Sequence, residues 1–264
     1  GGSAGSLSAL SSFVSNIAPD SGAAYVIVVH LSPEHEDMLP EILQRETSIP
    51  VKQVNGEVTL CKNEIYVISP GKQLWIKDGT LVSSALERPL KGRHVTIDVF
   101  FRTLADAYGI DACGIILSGM DGDGAVGLKR IKERGGLTIV QDPFEAEFDE
   151  MPRSAIATGM VDWILPAAET PSRLKEYWAN ARKMQLPWQS HPESNITNLP
   201  SKSDESTLKD ILGFLDSRCG HDFSDYKHAT IIRRVARRMQ VNGTQTLADY
   251  LTYLRTHPGE SGAL

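Results

Sequence analysis

Gly114-Ile115-Ile116-Leu117-Ser118-Gly119-Met120-Asp121-Gly122-Asp123-Gly124 is a short apolar run that breaks into a loop of glycine and aspartate. Such a run fits a strand buried on both faces of a parallel sheet. Val126, Leu128 and Ile131 follow at helical spacing, Gly135-Gly136 ends that helix, and Leu137-Thr138-Ile139-Val140 reads as the next strand. Strand, helix and strand in this order make a βαβ unit. The expected class is therefore α/β, with a doubly wound, mainly parallel sheet.

Toward the N-terminus, Ala24-Tyr25-Val26-Ile27-Val28-Val29 is a second continuous apolar and β-branched run, with His30 at its carboxyl end. In open α/β sheets that edge is where ligands and catalytic groups collect. Leu7, Leu10, Val14 and Ile17 form one helical stripe before it, and Met38, Leu39, Ile42 and Leu43 mark a helix after it, closed by Pro50. Glu64 to Ile68 reads as a further strand. Leu74 to Val82 reads as a hairpin turning at Asp78-Gly79, which interrupts the βαβ rhythm. A polar loop holding Arg88, Lys91, Arg93 and His94 leads to an amphipathic helix carrying Ile97, Phe100, Phe101 and Leu104.

Beyond the central unit, Met151-Pro152-Arg153 opens a short helix, Val161 to Leu165 gives a last strand, and Leu174, Tyr177 and Trp178 lie on a closing helix. Residues 185–205 turn to Pro, Ser, Asn and His without apolar periodicity, the composition of a linker. Residues 206–264 show helical periodicity only, with Leu208, Ile211, Leu212 and Leu215 in one segment and Ile232, Val235 and Met239 in another. The expected organisation is an α/β domain over 1–184, a linker over 185–205 and a small all-α domain over 206–264.

With 264 residues, 41% of them hydrophobic, the chain can bury a sizeable core. A formal net charge of -6 argues against bulk binding to nucleic acid or to an anionic membrane surface. Cys61, Cys113 and Cys219 are odd in number and widely spaced, which signals neither a disulfide framework nor a zinc site and suits a reducing cytoplasm. No apolar run is long enough to span a bilayer.

Gly1-Gly2-Ser3-Ala4-Gly5 fits G-x-S-x-G and runs directly into the first helix. In such an elbow a serine stands on a sharp strand-to-helix turn, exposed between small neighbours, so Ser3 is the candidate nucleophile. A flexible Gly/Ser terminus is the plainer reading. An elbow also needs a strand before it, and only two residues precede Ser3, so that strand is expected to lie upstream of this chain.

The glycine-rich loop admits three readings. Gly122-Asp123-Gly124-Ala125-Val126-Gly127 matches G-x-G-x-x-G, and Asp142 lies about 20 residues further on, which suggests a dinucleotide site. Against it, Asp123 would set a carboxylate beside a pyrophosphate, at a cost of ~1 kcal/mol or more. Asp121-x-Asp123-Gly also resembles the start of a calcium loop, without the later ligands. In the third reading Asp123 orients a histidine that takes a proton from serine. Ser3, His30 and Asp123 all fall at one sheet edge, in an order that differs from the Ser, Asp, His order of α/β-hydrolases.

The segments Gly2-Ser3-Ala4-Gly5, Val28-Val29-His30-Leu31-Ser32-Pro33, Leu117-Ser118-Gly119-Met120-x-x-Asp123-Gly124 and Glu147-Phe148-x-x-Met151-Pro152-Arg153 resemble the CheB-type chemoreceptor methylesterases, specifically those fused to a CheR-type methyltransferase. The resemblance implies an esterase domain with a Ser3, His30 and Asp123 triad, and backbone N–H groups of His30 and Met120 as the oxyanion hole. Its implied reaction is hydrolysis of glutamyl γ-methyl esters in chemosensory signalling, with glutamine deamidation as a second reaction. Ser6 departs from the family's second glycine, and Ala4 stands where many members have threonine.

Asp222-Phe223-Ser224-Asp225-Tyr226-Lys227 and Thr230-Ile231-Ile232-Arg233-Arg234-x-x-Arg237-Arg238-Met239 resemble the N-terminal helical part of CheR-type enzymes. Arg233 with Arg237, and Arg234 with Arg238, are spaced four apart and form a basic ridge. The resemblance implies docking on receptor helices, and a solvated charged face is the plainer reading. The implied partners are the cytoplasmic helices of methylated chemoreceptors, with no nucleic acid, no membrane insertion, no metal and no cofactor. The chain stops before a methyltransferase catalytic domain, so S-adenosylmethionine is not expected to bind. The competing functions are a non-catalytic receptor-binding signalling module and a nucleotide-binding domain.

Overall fold

The computed structural model describes residues 1–30, 38–86, 95–183, 202–219 and 228–264. Leu31-Ser32-Pro33, His94 with Arg88, Lys91 and Arg93, most of the expected linker, and Asp222 to Lys227 lie outside the described residues. The chain divides into two compact units, Gly1–Arg173 and Leu174–Leu264.

In the first unit, helix α1 (Ser6–Ser15) leads to strand β1 (Ala24–Ile27), helix α2 (Leu39–Glu46) and strands β2 (Val51–Val54), β3 (Glu57–Thr59) and β4 (Glu64–Ile68). β1 and β2 flank β4, both parallel to it. β5 (Lys72–Lys77) and β6 (Thr80–Ala85) form the hairpin, and β3 adds to β6 as a third antiparallel strand. Asp78 and Gly79 both take positive φ, 50° and 76°, as a two-residue hairpin turn matching the strand twist requires. Helix α3 (Thr96–Tyr108) then leads into strand β7 (Cys113–Ile116), helix α4 (Ala125–Glu133), strand β8 (Leu137–Gln141), helix α5 (Glu150–Ile156) and strand β9 (Trp163–Leu165). β7, β8 and β9 pair in parallel in that order.

Two residues join the parallel sheets. The Gly2 N–H donates to Val28 O (3.2 Å), Gly2 bridges Val29 in parallel, and the Leu117 N–H donates to Gly1 O (2.8 Å). Gly1-Gly2 is thus the stub of a central strand between β1 and β7. From it the chain winds outward through α1 to β1 on one side and returns as β7 on the other. Ser3 leaves this stub at the point where the winding reverses, the place where open α/β sheets build their sites.

The core follows the apolar pattern with local departures. Ile27, Val28 and Val29 are buried, whereas Ala24 to Val26 are half-buried. On α1 the buried face is Ala9, Leu10, Phe13 and Val14, with Ile17 beyond it, and Leu7 is exposed because the first turn stands at the open sheet edge. Val51-Lys52-Gln53-Val54 and Glu57-Val58-Thr59 are too short and polar to announce strands, and their pairing partners impose the extended form.

In the second unit, helix α6 (Thr170–Lys183) runs across the division, and helices α7 (Lys202–Cys219), α8 (His228–Asn242), α9 (Leu247–Thr256) and α10 (Glu260–Ala263) follow. α7 begins within the stretch expected as linker. Leu208, Ile211, Leu215, Ile231, Val235, Met239, Tyr250 and Leu254 build its apolar centre. Thr246 caps α9 by accepting the Asp249 N–H.

Candidate active site

The turn after the stub is held on several sides. The Ser3 N–H donates to Ser118 O (2.9 Å). Ser118, fully buried just past β7, donates its hydroxyl to Ala4 O (2.9 Å) and accepts the Phe148 N–H (3.0 Å). Gly5 adopts φ 67° as the cap of α1. A Cβ on Gly2 would stand 2.7 Å from Ser6 Cβ, so no larger residue fits there. Ser6 donates its hydroxyl to Ser3 O (2.7 Å), which braces the turn. Ser3 Oγ is therefore aimed by the surrounding backbone rather than by its own neighbours alone.

His30, at the end of β1, reaches Ser3 Oγ with Nδ1 (3.2 Å) and Asp123 Oδ2 with Nε2 (2.9 Å). The Asp123 side chain is fully buried and that of His30 is 13% exposed. Asp123 accepts two further hydrogen bonds, from the Ile97 N–H on Oδ2 (2.8 Å) and from the Asp98 N–H on Oδ1 (2.9 Å). A carboxylate only accepts, so the imidazole proton shared with Asp123 belongs on Nε2. Nδ1 then offers its lone pair to the Ser3 hydroxyl. The structure brings His30 within hydrogen-bond reach of both Ser3 and Asp123, over 27 and 93 positions of chain.

Several neighbours of this trio carry no clear signal in the sequence. Asp121 Oδ2 lies 3.3 Å from His30 Nδ1, on a side chain 40% exposed. Its other oxygen accepts the Asp123 N–H (2.9 Å) and closes the turn. Asp98 Oδ1 accepts the Gly127 N–H (2.6 Å) at the start of α4. Burial holds the Asp98 carboxyl above its ordinary value; the Gly127 N–H opposes that rise and the charge of Asp123 adds to it. An acidic residue in the first turn of a predicted helix is a legible cap signal, but its target on another helix is not.

The glycine-rich loop finds its explanation here. Gly124 takes φ 95°, and a Cβ on Gly127 would lie 2.6 Å from Phe101 Cβ, so these glycines let α4 bend in and pack on α3. The α4 N-terminus, where a pyrophosphate would sit, already faces Asp98. Both Asp123 oxygens are occupied by N–H donors, which disfavours the calcium reading as well. Among the described residues no group of three His, Cys, Asp or Glu side chains could hold a metal ion.

Met120, expected with His30 to supply oxyanion-hole amides, follows Gly119, which is wedged against Ser3. A Cβ on Gly119 would stand 3.0 Å from Ser3 Cβ and 1.9 Å from Met151 Sδ. Gly119 is tied to the neighbouring loop by the Phe148 O it donates to (3.0 Å) and the Met151 N–H it accepts (3.0 Å). This fixes the backbone immediately before the Met120 amide beside Ser3.

A serine, a histidine and a buried carboxylate in this geometry can run acyl transfer. The family model for CheB methylesterase matches residues 1–174, about two thirds of the chain. The chain belongs to the CheB methylesterase family. Over 165 residues it is 34% identical to a putative protein-glutamate methylesterase/protein-glutamine glutaminase of Leptospira interrogans, covering 62% of this chain and 86% of that protein. The catalytic domain of the Thermotoga maritima CheB methylesterase matches with a TM-score of 0.60 at 25% identity, over 66% of this chain and 94% of that one. An uncharacterized 104.1 kDa protein of Rhodobacter capsulatus is 32% identical over 235 residues, which is 83% of this chain and 24% of that protein.

The family model for the all-alpha domain of CheR methyltransferase matches residues 206–264. Its expected basic ridge needs correction. Arg238 is buried and donates from Nε and Nη2 to the two carboxylate oxygens of Glu260, each at 2.7 Å, while the Tyr250 hydroxyl donates to Glu260 Oε1 (2.8 Å). Arg238 is an interior ion-pair residue because Glu260, distant in sequence, folds back to neutralise it. Arg237 is half-buried with its guanidinium over the Tyr177 ring (5.0 Å). Arg234 is exposed and donates to Leu264 O (3.1 Å), and the side chain of Arg233 lies outside the described residues.

Proposed function

We propose that the first unit is a serine hydrolase that removes methyl groups from glutamyl γ-methyl esters on helices of chemoreceptor-like proteins, with glutamine side-chain amides as a second substrate. The observation that carries this reading is the His30 ring bridging Ser3 Oγ and Asp123 Oδ2. Ser3 Oγ attacks the ester carbonyl as its proton passes to His30 Nδ1. Negative charge develops on the carbonyl oxygen, and the backbone N–H groups of Met120 and His30 are the proposed donors to it. The C–O bond to the methoxy group breaks, Nδ1–H protonates the leaving oxygen, and methanol departs. Water, deprotonated by Nδ1, then attacks the acyl-serine, and the glutamate carboxylate leaves with Ser3 restored.

Asp123 holds the imidazole in the required tautomer and stabilises the imidazolium formed in each half-reaction. In this reading the protein is cytoplasmic. No described helix is long and apolar enough to cross a membrane. The 206–264 segment serves receptor docking in this reading, with Arg234 as an exposed cation of the expected ridge. The test is methanol release from a receptor fragment carrying radiolabelled methyl esters. Ser3→Ala should lower the rate by about 10⁴-fold or more with unchanged thermal unfolding. Release at the wild-type rate would overturn the assignment.

A further inference from the structure

Asp98 and Asp123 stand in a reciprocal arrangement that the proton relay itself does not require. Asp123, in the loop before α4, accepts the Ile97 and Asp98 N–H groups in the first turn of α3, whose cap residue Val95 provides no side-chain bond. Asp98, on that same turn, accepts the Gly127 N–H in the first turn of α4. Each carboxylate therefore caps the helix on which the other depends. Two like charges this close are tolerated because each has its own set of helix N-terminal donors.

The consequence is mechanical. Asp123 has to meet His30 Nε2 at 2.9 Å, yet it sits on a loop of small residues between β7 and α4. Its own carboxylate ties that loop forward to α3, and Asp98 ties the far end of the loop back to α3 through Gly127. The two helices touch at this point, since a Cβ on Gly127 would be 2.9 Å from Asp98 O and 3.0 Å from Asp98 Cα.

We infer that Asp98 is a positioning residue for the relay: it holds the α4 N-terminus against α3 and so sets the distance between Asp123 and His30. This rests on the serine-hydrolase reading of Ser3, His30 and Asp123. Asp98 acts through the α4 N-terminus, so its loss lowers the turnover number and spares KM, while the turn that carries Ser3 is held separately by Ser118, which also accepts the Phe148 N–H.

The experiment measures steady-state turnover on the methylated receptor fragment, together with the rate at which a fluorophosphonate labels Ser3, for the wild-type chain, D98A, D98N and I131V. Ile131 is fully buried on α4 away from these hydrogen bonds, so I131V reports destabilisation of α4 alone. D98A should lower both kcat and the labelling rate by about tenfold to a hundredfold, the scale of a small misplacement of a catalytic group, with KM within about twofold. D98N retains an oxygen that can accept the Gly127 N–H and should recover part of that loss, while I131V keeps wild-type turnover per folded molecule. D98A with wild-type kcat and labelling, or an equal loss in I131V, overturns the inference while the triad stands. A wild-type chain that is neither labelled nor active overturns the triad and this inference with it.

Discussion

Gly2 pairs in parallel with Val29, so the residues that follow each of them, Ser3 and His30, leave adjacent strands side by side at the carboxyl edge of the sheet. One backbone register thus delivers Ser3 and His30, the proposed nucleophile and base, together. Asp123 arrives from the strand on the other side of the stub, and its carboxylate is oriented by two amides of α3 before it meets the imidazole. Such a pre-set acceptor costs little reorganisation when the imidazolium forms.

Asp123→Asn should lower kcat by about 10⁴-fold, since an amide whose oxygen accepts from the Asp98 N–H puts its NH2 group at the Oδ2 position, where it faces His30 Nε2 and selects the wrong tautomer. Methanol release with KM determined separately checks this. Substrate affinity should hold, and a kcat within tenfold of wild type would contradict the role given to Asp123.

Gly119→Ala should destabilise the first unit by about 1–3 kcal/mol, because the new methyl group enters the space of Met151 Sδ. It should also slow turnover by pushing on Ser3 Cβ. Met151→Ala in the same chain frees that space, so the two changes should couple favourably in a double-mutant cycle followed by thermal unfolding and by activity. Strictly additive effects would show that the two side chains do not compete for one volume.

The Asp98 carboxyl is held above its ordinary value of 3.8, chiefly by burial. A folded value raised above the unfolded one gives stability that is fully present below the unfolded value and is lost as pH rises through the folded value. Asp98→Asn removes this dependence. The stability of D98N relative to wild type should therefore climb as pH is raised from about the ordinary carboxyl value through the raised one, then level off. Urea unfolding at a series of pH values measures it, and a flat difference would remove the raised value as a contributor.

Breaking the interior pair of the second unit by Arg238→Ala should cost about 3–5 kcal/mol, because Glu260 is left charged and buried with only the Tyr250 hydroxyl beside it. Replacing both partners, as in R238M with E260L, should restore much of that loss. Circular dichroism of the helical signal during unfolding reports the outcome. An R238A chain as stable as wild type would return Arg238 to the surface role expected from its spacing.

Local chemistry alone announced much of this molecule. Apolar runs marked β1, β4, β7 and β8, Asp78-Gly79 marked the hairpin, the sheet-edge positions of His30 and Asp123 followed from where those runs end, and that of Ser3 followed from the G-x-S-x-G pattern that opens the first helix. These features are legible because burial on both faces and positive φ restrict residue choice at the position itself. β2 and β3 were not legible, since their extended form comes from partners rather than from propensity. The meaning of Gly124 and Gly127 also lay beyond reach, because a glycine required for helix packing and one required for a phosphate look alike in a string of residues.

By itself, the sequence determined the α/β class, the helical character of residues 206–264 and the candidate trio Ser3, His30 and Asp123, because strand ends and turn glycines are local properties. Tertiary structure alone decided three further points. Gly1-Gly2 becomes the stub of a central strand only because β1 and β7 supply hydrogen-bond partners on either side. Asp98 caps α4, and Arg238 forms an interior ion pair, only because the fold sets the Gly127 N–H and Glu260 against them. A hydrogen bond depends on where its second partner lies, and that position is a property of the folded chain.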